Sequence, residues 1–166
     1  MPDLPLPILL LAALALVIIL AALIALFRTA SRPPYQRNPD FLTPAETIFF
    51  RALEQAVNDD FYIFPKIRLA DLLAVSDGSD DPSAHFARIS QKHIDFTLVD
   101  RQSLIPLLAI ELDDSSHDRP DRQARDAFVD AALQSAGLPI LHVPAQQAYD
   151  PPNLARSIRA LLSSRP

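Results

Sequence analysis

Twenty consecutive residues, Ile8 to Phe27, are all Leu, Ile, Ala, Val or Phe. At the rise of an α-helix such a run spans the hydrocarbon core of a bilayer, about 30 Å thick, so it predicts a transmembrane helix over 8–27. Beyond it the pattern shortens to the periods of a globular domain. Thr43-Pro44-Ala45-Glu46 has the form of a helix start: Thr43 as N-cap, Pro44 in the first turn, Glu46 closing a capping box. Phe49, Phe50, Leu53 and Val57 then recur on one helical face, and Asn58-Asp59-Asp60 ends it. Phe61 to Leu69 reads as a strand, with Pro65 marking an edge or a bend. Ala70 to Val75 follows as a helical turn and Ser76 to Ser83 as an acidic loop. Ile94–Val99 and Leu107–Leu112 form an antiparallel hairpin. Pro120 to Ala136 is a helix stopped by Gly137, with Ala124, Phe128, Ala131 and Ala132 inward and Asp126, Asp130 and Gln134 in solvent. Leu138 to Val143 is a strand, and a last amphipathic helix carries Leu154, Ile158, Leu161 and Leu162.

Charge flanking the apolar run sets its direction. Residues 1–7 hold no Lys or Arg, whereas Arg28, Arg32 and Arg37 follow the run. The positive-inside rule therefore puts the short N-terminus outside and the rest of the chain in the cytoplasm. The proline-bearing stretch 28–42 is a linker, and the domain runs over 43–166. A net charge of -5 argues against a strongly basic nucleic-acid binder. The absence of cysteine excludes disulfides, thiolate metal sites and cysteine nucleophiles. Two glycines leave no phosphate-binding glycine loop.

Chemistry concentrates in the hairpin. Side chains alternate across a strand, so Ile94, Phe96 and Leu98 take one face and Leu108, Ile110 and Leu112 take the matching face of the next strand. Asp95, Glu111 and Asp113 then share the other face. Opposed side chains in a sheet have Cβ atoms about 5 Å apart, and carboxylates that close need a proton, an arginine or a cation between them. A hard divalent ion such as Mg²⁺ or Mn²⁺ takes oxygen ligands of this kind.

The pieces Leu42-Thr43-Pro44-Ala45-Glu46, Lys66-Ile67-Arg68-Leu69-Ala70-Asp71-Leu72-Leu73, Lys92-His93-Ile94-Asp95-Phe96 and Ala109-Ile110-Glu111-Leu112-Asp113-Asp114-Ser115-Ser116-His117 resemble a bacterial family known as domain of unknown function 2726. Arg125-Asp126 and Ala136-Gly137-Leu138-Pro139 fit the same likeness, which covers about Leu42 to Ile158. That family is similar to the restriction-endonuclease-like, or PD-(D/E)xK, nucleases of the very short patch repair type. The resemblance implies an α/β class and a three-layer α/β/α core with a mixed sheet. It implies that Asp95 and Glu111 hold Mg²⁺ or Mn²⁺ and that Glu46 is an acidic group contributed by the first helix. It further implies DNA or RNA as substrate; taken with the apolar run as a single membrane-spanning anchor, a bacterial family makes the inner membrane the expected location. Where the superfamily has a lysine, two residues past its second carboxylate, this chain has Asp113. Asp113 and His117 are then the candidate proton-transfer groups, with Lys92 a further substitute.

Each residue also has a reading without chemistry. Glu46 completes a capping box, Asp113 and Asp114 start a turn, and His117 caps or bridges the next helix. Arg119, Arg122 and Arg125 either meet phosphates or form salt bridges such as Arg122 with Asp126. Two functions follow. One is a membrane-anchored, metal-dependent nuclease-like hydrolase; the other is a catalytically inactive nuclease fold serving as a binding module at the membrane.

Overall fold

The computed structural model describes residues 5–30, 33–113 and 120–163, with side chains described at 5–26, 33–113 and 124–163. The chain divides into two units, Met1–Pro39 and Asp40–Pro166. In the first, helix α1 (Leu6–Ala30) runs three residues past the end of the apolar run. Its stretch Leu6–Leu26 is long and apolar enough to cross a membrane, and none of it is buried against protein. A helix apolar on every side has no polar face to offer water.

The second unit contains α2 (Pro44–Val57), β1 (Phe61–Arg68), α3 (Leu69–Leu72), α4 (Pro82–Ser90), β2 (His93–Asp100), β3 (Pro106–Asp113), α5 (Pro120–Ser135), β4 (Ile140–Pro144) and α6 (Pro151–Ser163). It is of the α/β class. The four strands form one sheet in the order β1-β2-β3-β4. β1–β2 and β2–β3 are antiparallel and β3–β4 is parallel, so the sheet is mixed.

Local chemistry explains most of these elements. The capping box at Thr43 forms in full: the Glu46 N–H donates to Thr43 Oγ1 at 3.2 Å and the Thr43 N–H donates to Glu46 Oε2 at 2.7 Å. The β2–β3 turn is organised by Asp100, whose carboxylate accepts from the N–H groups of Gln102 and Ser103 and from the Ser103 hydroxyl. α4 was not anticipated from the pattern. Asp81 caps it by accepting from the Ala84 N–H at 3.0 Å, and Pro82 opens its first turn.

Two apolar clusters form the core. Phe49, Leu53 and Val57 of α2 and Leu154 and Ile158 of α6 pack on Phe96, Leu98, Leu108 and Ile110. The rings of Phe49 and Phe96 lie 5.4 Å apart. The other cluster joins Leu69, Ile89, Ile94, Ala109, Val129, Leu133 and Leu138.

Three expectations need correction. Ile94 does not share a cluster with Phe96 and Leu98; it belongs with Ala109 and Val129. The alternation breaks where Lys66 of β1 adopts φ +53°: pairing holds at Pro65↔Phe96 and Ile67↔Ile94 but lapses between them. α5 keeps part of its expected face, with Phe128 and Ala132 packed against the core and Gln134 exposed, but the rest of that face is different. Val129 and Leu133 are its buried residues, Ala124 and Ala131 are exposed, and Asp126 and Asp130 are half-buried rather than in solvent. The larger aliphatic side chains remove more apolar area from water than alanines do, so they take the inward stripe. The last strand begins at Ile140 rather than at Leu138.

Candidate functional site

Asp95 stands in β2 and Glu111 in β3, at positions that face each other when the register Phe96↔Ile110 is extended by one residue. The ladder stops short of them, and the Leu112 N–H donates to Asp95 Oδ2 at 2.9 Å in place of a strand–strand bond. The Asp95 and Glu111 side chains lie within hydrogen-bonding reach of each other. Both are half-buried. Burial, the Asp95 charge and that hydrogen bond push the Glu111 carboxyl from 4.5 up to about 8. Arg125 of α5 pulls in the opposite direction and Asp126 adds to the rise. The pair is therefore short of one positive charge: a proton fills the deficit in water, and a cation would fill it without one.

Asp113, on the same face two residues on, is turned to a different partner. Its Oδ1 lies 3.2 Å from His142 Nδ1 of β4, and the other ring nitrogen of His142 lies 3.1 Å from Asp130 Oδ1 of α5. Burial lowers the imidazole's affinity for a proton, but the two carboxylates outweigh it and leave the His142 pKa raised. This Asp–His–Asp chain ties β3, β4 and α5 together at the C-terminal end of β3. It also explains why Asp130 sits inward.

Glu46 is 8% exposed and its carboxylate is committed twice. Besides the cap, Oε1 accepts from Lys66 Nζ at 2.6 Å. Burial would raise its pKa, yet the bonds from Lys66 and Thr43 prevail and lower it. Lys66 links this group to the pair by position, because the flanking pairings bring it opposite Asp95. A lysine at positive φ is strained, and here it falls beside a carboxylate cluster. His117 and the turn residues 114–119 lie outside the described residues, as does the Arg122 side chain.

The comparison that decides the family covers most of the chain: the family described as protein of unknown function (DUF2726) matches residues 38–161. The chain belongs to this family. No curated protein and no solved structure matches it.

In this DUF2726 chain the donor set for a metal is two carboxylates. Among the described residues no group of three or more His, Asp or Glu side chains is placed to hold one ion. Two carboxylates with water and substrate oxygens make an ordinary Mg²⁺ set, so the residues present fit a hard divalent ion. Three further residues of the site escaped the sequence reading. His142 had no motif around it, Asp130 carried a helical spacing that pointed to solvent, and Lys66 gave no sign of its positive φ.

Proposed function

We propose that the Asp40–Pro166 unit is a restriction-endonuclease-like phosphodiester hydrolase with a three-layer α/β/α core, dependent on Mg²⁺ or Mn²⁺ and acting on DNA or RNA. α1 would hold it at the bacterial inner membrane with the N-terminus outside and the unit in the cytoplasm. One observation carries the reading: Asp95 and Glu111 face each other from adjacent strands, and burial with the Asp95 carboxylate beside it pushes Glu111 up to about 8. A sheet interior keeps such a pair at a cost in stability unless the charge deficit has a use.

Asp95 and Glu111 would hold the ion, which when bound lowers the pKa of a coordinated water and neutralises charge developing on the phosphate. The chain's own residues do the rest. The Leu112 N–H fixes Asp95. Lys66 pairs with Glu46, so that this carboxylate would not repel an incoming phosphate. Asp113, held by His142, is the proton acceptor nearest Glu111 in sequence, and His117 is the candidate donor to the leaving oxygen. The test is cleavage of supercoiled DNA and of structured RNA by the full chain in detergent micelles with Mn²⁺. Cleavage abolished by Glu111→Gln and Asp95→Asn is expected; an unaltered rate in either variant, or no cleavage of either polymer, overturns the reading.

A second reading, an inactive fold that binds a partner at the membrane, draws on Asp113. This residue is engaged by His142 and stands where the related nucleases have a lysine. Calorimetry separates the two: the binding module takes up no Mn²⁺ while remaining folded, whereas the hydrolase binds it through Glu111.

A further inference from the structure

We propose that Arg88 and Lys92, which share the ring of Phe128, and Arg125, one helical turn before that ring, form the contact surface for the sugar–phosphate backbone of a nucleic-acid strand lying across the carboxylate pair. The inference rests on the hydrolase reading and names how that site holds its substrate.

Arg88 is in the last turn of α4 and Lys92 lies just beyond that helix. Both stand over the same ring of α5, with the Arg88 guanidinium carbon 4.1 Å and the Lys92 Nζ 5.2 Å from the Phe128 centroid. Among the described residues neither has a carboxylate partner. Arg51, Lys66, Arg68 and Arg101, by contrast, each pair with an acid. An aromatic face holds one cation by its quadrupole. Two cations brought to one ring still repel each other, and an anion between them relieves that repulsion. Arg88 and Phe128 also wall a cleft of about 450 Å³, so the outer side of the guanidinium meets open space.

The strip leads to the pair. Lys92 is three residues before Asp95, roughly 10 Å along a strand, which is about the axial rise of three nucleotides. Arg125 lies one turn before Phe128 on α5 and is close enough to Glu111 to favour its ionised form. The three cations therefore run from the edge of α4 to the carboxylates. In a chain of net charge -5, three cations on one strip are the local positive charge that a polyanion needs.

The experiment uses the full chain in detergent micelles with EDTA, so that binding is read without cleavage. Anisotropy of fluorescein-labelled single-stranded and duplex oligonucleotides is followed over a salt series for wild type, R88Q/K92Q, R88K/K92R and E111Q. Replacing both cations should weaken binding about tenfold or more at low salt and reduce the log–log salt slope by about 2. R88K/K92R and E111Q should retain the wild-type slope. An R88Q/K92Q slope equal to wild type overturns the proposal, as does wild-type protein that binds no oligonucleotide. Loss of affinity in R88Q/K92Q for vesicles containing phosphatidylglycerol, with oligonucleotide binding intact, also overturns it, in favour of a lipid surface. Cleavage with Mn²⁺, measured in parallel, keeps the two ideas apart. A reduced slope without cleavage in wild type supports the strip while sinking the hydrolase, and cleavage with an unaltered slope does the reverse.

Discussion

Glu111 joins the chemistry of the site to the stability of the fold. Its pKa is 4.5 as a free group and about 8 when folded without metal. A carboxyl raised in this way contributes stability that is fully present below pH 4.5 and is lost as pH rises through 8. Thermal melts in EDTA should therefore show midpoints declining over that window, and Glu111→Gln should flatten the decline. Above pH 8 the variant should be more stable than wild type by up to about 5 kcal/mol. On the proposed metal reading Mn²⁺ would need the ionised pair, so its affinity should climb with pH over the same range; pH-independent Mn²⁺ binding would contradict that reading. His142 works with the opposite charge and the same sign. Its raised pKa gives stability that is present below pH 6.5 and is lost above it, when the imidazole no longer satisfies Asp113 and Asp130 together. His142→Gln should remove that component from the melts. Thr97 offers a simpler case. It is fully buried and its hydroxyl has no partner, so Thr97→Val should stabilise the unit by about 1 kcal/mol in denaturant titrations.

At the scale of elements, the N-terminus of α2 serves the fold and the site together. Thr43→Ala removes one bond of the capping box and should cost about 1 kcal/mol in denaturant titrations. It leaves the bond from the residue-43 N–H to Glu46 Oε2 in place and unpairs only the Glu46 N–H, so the Glu46 carboxylate should keep its position in the variant. The elements also show what a pattern conveys. The cap, the hairpin and the face shared by Asp95 and Glu111 were all legible, because each follows from spacing within a few residues or from strict alternation. The inward face of α5 was legible only in part, at Phe128 and Ala132, for an identifiable reason. Ala124, Phe128, Ala131 and Ala132 and the pair Val129 and Leu133 trace two stripes one position apart, and only packing on Ala109 and Ile94 chooses between them. His142 meets Asp113 through the β3–β4 register, and Asp130 reaches His142 from α5. No local signal in either segment announces such a meeting. The conformation of Lys66 is imposed by its surroundings, since nothing in lysine favours positive φ.

For the molecule as a whole, the two units have opposite solvent needs. α1 exposes an unbroken apolar surface, while the second unit carries charged residues over its outside. Full-length protein should sediment with membranes, resist extraction by salt and alkali, and enter solution with detergent; release by salt alone would remove the anchor from the account. The side of the membrane on which the second unit lies is open to protease protection in spheroplasts: digestion only after lysis is the outcome the proposed cytoplasmic location expects.

The irregular middle of β1 has a consequence of another kind. β1 and β4 are the two ends of the sheet, and an end strand presents free backbone groups to which a neighbouring chain can add. Pro65 lacks an N–H, and Lys66 leaves the extended conformation directly after it, so β1 cannot serve as a continuous template. Proteins tethered to one membrane meet edge to edge far more often than proteins free in solution. The same distortion that brings Lys66 to Glu46 would thus keep crowded copies from zipping together. A variant with β1 made regular, Pro65→Val with Lys66→Thr, should form strand-paired aggregates that bind thioflavin T.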